Sequence, residues 1–264
     1  MDLISPPHPN HNCIAAGKSS LVYALDERRV LKKYFAEGID VECQVFSRLG
    51  PHPNVVRLLE IENNGLILER GQPLQNVIRN SEAENVTTDI EQKVRWIQQA
   101  AVALQHIHNK GIIHADVGVP NMILVNHWLK FIDFEGSSVD GHEATSCYQW
   151  FSYRVCTPAI STQTDIFAFG CAMYEIITGR PPHYDLETSP NRMCDVRQRY
   201  SEGKFPVLKG IPLREVIQGC WIGIYNCMDD VIHALQDHVL VNQESNRLRD
   251  IQYESMQAQF DQIF

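Results

Sequence analysis

Ile112-Ile113-His114-Ala115-Asp116-Val117-Gly118-Val119-Pro120-Asn121-Met122-Ile123-Leu124, answered by Phe131-Ile132-Asp133-Phe134-Glu135-Gly136, is the stretch on which the reading of this chain turns. Apolar runs frame two loops that carry Asp116, Asn121 and Asp133. A single aspartate or asparagine in a loop is ordinarily a turn former, because its side chain bonds nearby backbone. Three in this order, with a short strand-turn-strand before the last, form a set suited to phosphoryl transfer. One carboxylate can take a hydroxyl proton, while an amide oxygen and a second carboxylate hold Mg²⁺ on the phosphates.

The bulk numbers narrow the setting. A chain of 264 residues can bury a substantial core as one domain or one two-lobed domain. Its 44% hydrophobic and 21% charged content is ordinary for a globular protein. A net charge of −9 gives no basic footprint, which argues against nucleic acid and against anionic membrane as partners. The eight cysteines include no Cys-x-x-Cys pair, so a reduced, soluble, cytoplasmic protein is expected. No apolar run approaches the length of a membrane span, and Met1–Asn12 lacks a signal-peptide core.

Outward from the central stretch, periodicity supplies the scaffold. Val41, Val45, Phe46 and Leu49 mark one face of a helix. Thr88-Asp89-Ile90-Glu91 reads as a capping box with Thr88 as the cap. Ile90, Val94, Ile97, Ala101, Leu104 and Ile107 then form a continuous apolar face, and Gly111 stops the helix. His106 and His108 point to different sides of it, a poor arrangement for a metal. Ile166 to Thr178 is apolar nearly all round and is predicted to be a buried helix ended by Gly179 and Pro181. Strand alternation puts Lys32 and Lys33 on opposite faces.

His114-x-Asp116-x-x-x-x-Asn121 followed by Asp133-Phe134 closely resembles the catalytic and metal loops of the protein-kinase family. The Asp133-to-Ser138 run is also similar to that of short kinase-like proteins of fungi. The resemblance implies an α+β, bilobal fold, with a small antiparallel β-sheet lobe over 13–70 and a larger, mainly helical lobe over 71–240. A flexible arm (1–12) and a helical extension (241–264) would flank them. It implies ATP and Mg²⁺ as cofactors and a protein or small-molecule hydroxyl as acceptor. Asp116 is then the expected base, Lys32 the ligand of the α/β-phosphates, and Glu42 its ion-pair partner. Asn121 and Asp133 are the expected metal ligands. Ala15, Gly17, Val22, Val30, Leu68, Glu69, Gly71 and Ile123 would surround the nucleotide, with the Glu69 carbonyl and Gly71 amide on adenine. His114 would pack with Phe134 and Phe46, and Asp165 would hold the catalytic-loop backbone.

The departures from the pattern are as specific as the matches. Of the glycine-rich loop only Gly17 survives, with Ala15 and Ser20 in the outer positions. Ala115 stands where the family has an arginine that binds a phosphate on the activation segment, which implies a segment that is not phospho-switched. Glu135 replaces the glycine of Asp-Phe-Gly, which adds negative charge near the phosphates. Gly118 replaces a common lysine, removing a cation near the γ-phosphate, so slow chemistry is implied. Thr157-Pro158-Ala159 is the nearest remnant of Ala-Pro-Glu, and no basic residue follows Trp221 as far as Met228. Two readings compete with a serine/threonine protein kinase: transfer to a small molecule, and a scaffold that binds nucleotide and transfers little.

Overall fold

Five strands and one helix fill residues 12–69, and helices dominate the rest of the described chain. A computed structural model describes residues 12–35, 38–83, 88–155, 158–238 and 240. Residues 1–11 and 241–264, where an arm and a terminal extension are expected, lie outside the described residues.

Strands β1 (Asn12–Ala16), β2 (Ser20–Ala24) and β3 (Arg29–Tyr34) form an antiparallel meander. Helix α1 (Ile39–Leu49) follows, then β4 (Leu58–Glu62) and β5 (Gly65–Glu69). The sheet order is β1-β2-β3-β5-β4, so β3, which carries Lys32, lies at the centre. Lys32 pairs with Val22 on one side and Leu66 on the other, and is buried, whereas Lys33 is half-buried. Helix α1 buries Glu42 along with Val45, Phe46 and Leu49.

After β6 (Gln72–Pro73) the chain becomes mainly helical, with α2 (Leu74–Ala83) and α3 (Ile90–Asn109). Helix α3 begins one residue later than the capping box predicts. Its N-cap is Asp89, with no side-chain capping bond, and Ile90 is exposed rather than on the buried face. Trp96, Ala100 and Ala103 widen that face beside Ile97, Ala101, Leu104 and Ile107. Lys110 caps the end, and Gly111 turns the chain at φ +70°.

Strand β7 (Ile112–Ile113) pairs with β10 (Ser138–Val139), and the hairpin β8 (Met122–Val125) and β9 (Trp128–Phe131) lies between them in sequence. Phe131 also bridges to Val55, and its backbone bonds Asn54 and Val56, which ties the segment after α1 to the hairpin. Helix α4 (Thr162–Thr178) is buried along almost its whole length. A reciprocal Ser161–Thr164 capping box starts it, and Gly179 at φ +84° ends it. Helices α5 (Arg192–Ser201), α6 (Arg214–Ile222) and α7 (228–238) complete the described fold. Phe205 and Trp221 stack at 5.5 Å beside α4 and α6. Among the described residues no helix is long and apolar enough to cross a membrane.

Candidate active site

Lys32 gathers the site. Its Nζ lies 2.7 Å from Glu42 Oε2, 2.5 Å from Asp133 Oδ1 and 2.9 Å from Glu135 Oε2. Burial alone would lower its pKa, but the carboxylates of Glu42, Asp133 and Glu135 outweigh it and hold the ammonium well above its ordinary range. Glu42 is fully buried and also accepts from the Tyr34 hydroxyl and from the Phe134 amide, the latter at 3.1 Å. α1 is thus tied to β3 and to the Asp133 loop through one carboxylate. Tyr34 was not a sequence candidate; its place two residues past Lys32, on the same face of the strand, was the available signal.

Two backbone positions are held in the left-handed region without glycine: Ala115 at φ +65° and Asp133 at φ +70°. Each has local support. Asp165 accepts from the amides of His114 (2.8 Å) and Ala115 (3.0 Å), from the Tyr148 hydroxyl (2.7 Å), and meets His108 Nε2 at 2.9 Å. Burial would raise the pKa of Asp165, but the His108 bond leads a set of opposing contacts that lower it. On the other side, His114 packs 5.1 Å from Phe134, which meets Phe46 edge-on at 5.7 Å. His106 faces elsewhere, with Nε2 2.9 Å from the Leu49 carbonyl and its ring stacked on His52.

Asp116 is fixed by bonds of its own. Asn121 Nδ2 donates to Asp116 Oδ2 at 2.9 Å and to its carbonyl at 2.8 Å. Gln149, unmarked in the sequence, donates to Asp116 Oδ1 at 3.3 Å. Burial raises the Asp116 pKa, and the bonds from Asn121 and Gln149 resist that rise. The Ile132 amide donates to the Asn121 carbonyl at 3.1 Å, which fastens the Asn121 turn to the Asp133 loop. With Nδ2 committed to Asp116, Oδ1 of Asn121 is the atom left for a cation. Asp133, its side chain 38% exposed, offers hard oxygen. Such a donor set suits a divalent cation such as Mg²⁺.

The remaining candidates lie along the sheet and the chain that leaves it. Val30, Leu68 and Ile123 share one buried cluster, with Val22 packed against it. Val30 pairs with Leu68. Gly71 runs so close to β8 that a Cβ there would meet the Leu124 carbonyl at 2.7 Å and Ile123 Cδ1 at 2.9 Å. Glu69 holds Lys130 at 3.1 Å with its side chain. Ala15 and Gly17 are exposed, and the Gly17 amide bonds the Ser20 carbonyl at 2.8 Å. Ser20 itself is buried, and both Ser19 and Ser20 donate to Glu135.

The protein kinase domain model matches residues 10–249. The chain belongs to the protein kinase family. It is 28% identical over 220 residues to the putative mitogen-activated protein kinase kinase kinase 7-like protein of Drosophila melanogaster, covering 77% of this chain and 53% of that one. It is 26% identical to CBL-interacting protein kinase 25 of Oryza sativa subsp. japonica, covering 66% and 37%. With the probable serine/threonine-protein kinase mps1 of Dictyostelium discoideum the identity is 25%, covering 69% and 21%. The chain thus spans about half or less of the length of these relatives. In this kinase domain Arg154 reaches the end of α6. Its guanidinium donates to the Trp221 carbonyl at 3.1 Å, at the end of α6, and lies over the Phe167 ring.

Proposed function

We propose that this chain is an ATP- and Mg²⁺-dependent phosphotransferase that moves the γ-phosphate to a serine or threonine hydroxyl of a protein. The observation that supports this most is the Lys32 ammonium held between Glu42 and Asp133, with Asp116 and Asn121 bonded to each other on the adjoining loop. The reaction cleft lies between a small lobe (13–70) and a large one (71–240). Lys32, oriented by Glu42, positions the α/β-phosphates, and Asn121 and Asp133 hold Mg²⁺. The cation, when bound, neutralises charge that develops on the transferring phosphoryl group. Asp116 orients the acceptor hydroxyl and takes its proton. Val22, Val30, Leu68 and Ile123 enclose the adenine, the Glu69 carbonyl and Gly71 amide bond its edge, and Ala15 and Gly17 turn the backbone over the phosphates. The serine/threonine preference leans on the likeness to the probable serine/threonine-protein kinase of Dictyostelium. The reduced cysteines fit a cytoplasmic setting, since all seven among the described residues are free.

A second reading, a scaffold with weak transfer, is favoured by one observation: Glu135 engages Lys32 and the β1–β2 turn together. Radiolabelled transfer from ATP to a degenerate serine/threonine peptide mixture separates the two. Transfer by the wild type that Asp116→Ala abolishes while retaining nucleotide binding supports the phosphotransferase. Nucleotide binding without turnover to peptide, or to small hydroxyl acceptors, supports the scaffold.

A further inference from the structure

Glu135 is placed unlike any other acidic residue in the site. Its Oε2 lies 2.9 Å from Lys32 Nζ and 3.2 Å from Ser20 Oγ, and its Oε1 accepts from Ser19 Oγ. Its side chain is 18% exposed, and a Cβ on Gly38 would stand 3.2 Å from its own Cβ, so backbone beside α1 closes over it. One carboxylate therefore bonds the strand lysine, both hydroxyls at the end of the β1–β2 turn, and lies two residues from Asp133. A tetrahedral phosphate between the same turn and the same lysine would ask for those donors: an ammonium and short hydroxyls from a turn. Glu135 and a phosphate cannot use them together. Around the single ammonium stand three carboxylates, of Glu42, Asp133 and Glu135, whose oxygens lie within 4.8 Å of one another. Gly118 leaves no side-chain cation at that point of the Asp116 loop.

We infer that Glu135 is a tethered competitor for the nucleotide's phosphates, so that a nucleotide's base and sugar bind freely while its phosphates bind only when Glu135 yields Lys32 and the two serines. The inference rests on the nucleotide reading of the site. It makes phosphate binding dependent on a divalent cation to an unusual degree. Without one, a polyphosphate meets three fixed negative charges and one positive; with one, the Glu135 and Asp133 carboxylates and the phosphate oxygens share a counter-charge. The same carboxylate latches the β1–β2 turn to the Asp133 loop when no phosphate is present.

The test compares adenosine with ATP, each in EDTA and in Mg²⁺, by calorimetric titration of the wild type, Glu135→Gln and Glu135→Gly. Adenosine reports the base and sugar site alone; ATP adds the phosphates. The expected result in EDTA is ATP binding by the wild type no tighter than adenosine. Glu135→Gly then tightens ATP by about tenfold or more, as the release of charge-assisted bonds predicts, and leaves adenosine within about twofold. Glu135→Gln, equal in shape and still able to bond the serines, falls between them and guards against misfolding of the glycine variant. Two results overturn the inference while leaving the nucleotide reading intact: ATP affinity in EDTA unchanged in both variants, or ATP and adenosine affinities rising in parallel. Binding of neither ligand by any of the three proteins overturns the nucleotide reading and the competitor with it.

Discussion

Asp116 reaches its working state through opposed local effects, and those effects are measurable. Burial raises its pKa, while the Asn121 and Gln149 amides hold it back. As the proposed base, Asp116 must be ionised, so transfer should fall with acid at a pH above the ordinary aspartate range. Gln149→Leu removes one bond to the ionised form, and the acid limb of kcat/KM should then move to higher pH. A limb that stays in place contradicts the role given to Gln149. At Lys32 the change Lys32→Met should do more than stop transfer. It leaves Glu42, wholly buried, without its cation, and should cost about 3–5 kcal/mol of stability in denaturant titrations. Lys32, Glu42, Asp116, Asn121 and Asp133 could be picked from the sequence because each sits at fixed spacing beside an apolar run. Gln149 could not, since a glutamine in an irregular polar segment carries no period. Nor did the letters reveal what Glu135 touches, because its partners Ser19 and Ser20 lie more than a hundred residues earlier.

Among the elements, α4 holds the loop that carries Asp116, through its first turn. Asp165 binds two successive amides of that loop, one of them on Ala115 with its positive φ. Asp165→Asn presents a donor group to a pocket of donors and should lose roughly 2–4 kcal/mol at pH 7. The folded pKa of Asp165 is lowered, so its contribution is present above the unfolded pKa and fades as pH falls through the folded value. The gap between wild type and variant should therefore narrow below about pH 4. Glu175, ten residues along the same helix, has the opposite sign. Burial pushes its pKa up to about 7, and its Oε2 has no hydrogen-bond partner among the described residues. Ionised Glu175 opposes folding, so wild-type stability should decline as pH rises from 4.5 to 7. Glu175→Gln should remove that slope and gain roughly 3 kcal/mol at pH 8. An unchanged slope would show that nearby charge such as that of Arg79 holds Glu175 ionised in the folded chain. The helix itself was legible as an all-apolar run with a glycine stop. The capping of α3 was misplaced by one residue, because Thr88 and Asp89 are both good caps and sequence alone does not choose between them.

Across the whole molecule, the spacing of three polar residues carried the resemblance to the protein kinase family, and that resemblance implied the small antiparallel sheet and the mainly helical remainder, while periodicity marked the faces of single helices. Longer-range pairing was beyond them. The bond of Arg154 to the end of α6 joins residues 67 positions apart. The direct test of the account is whether the Lys32–Asp133 cluster is a metal-dependent nucleotide site. Melting temperature should be followed against ATP concentration, with and without Mg²⁺, for the wild type and Asp133→Asn. A ligand that binds the folded chain raises the midpoint with concentration. A rise that Mg²⁺ enlarges in the wild type, with the Mg²⁺-dependent part lost in Asp133→Asn, is the predicted result. No rise for the wild type at any ATP or Mg²⁺ concentration would contradict it.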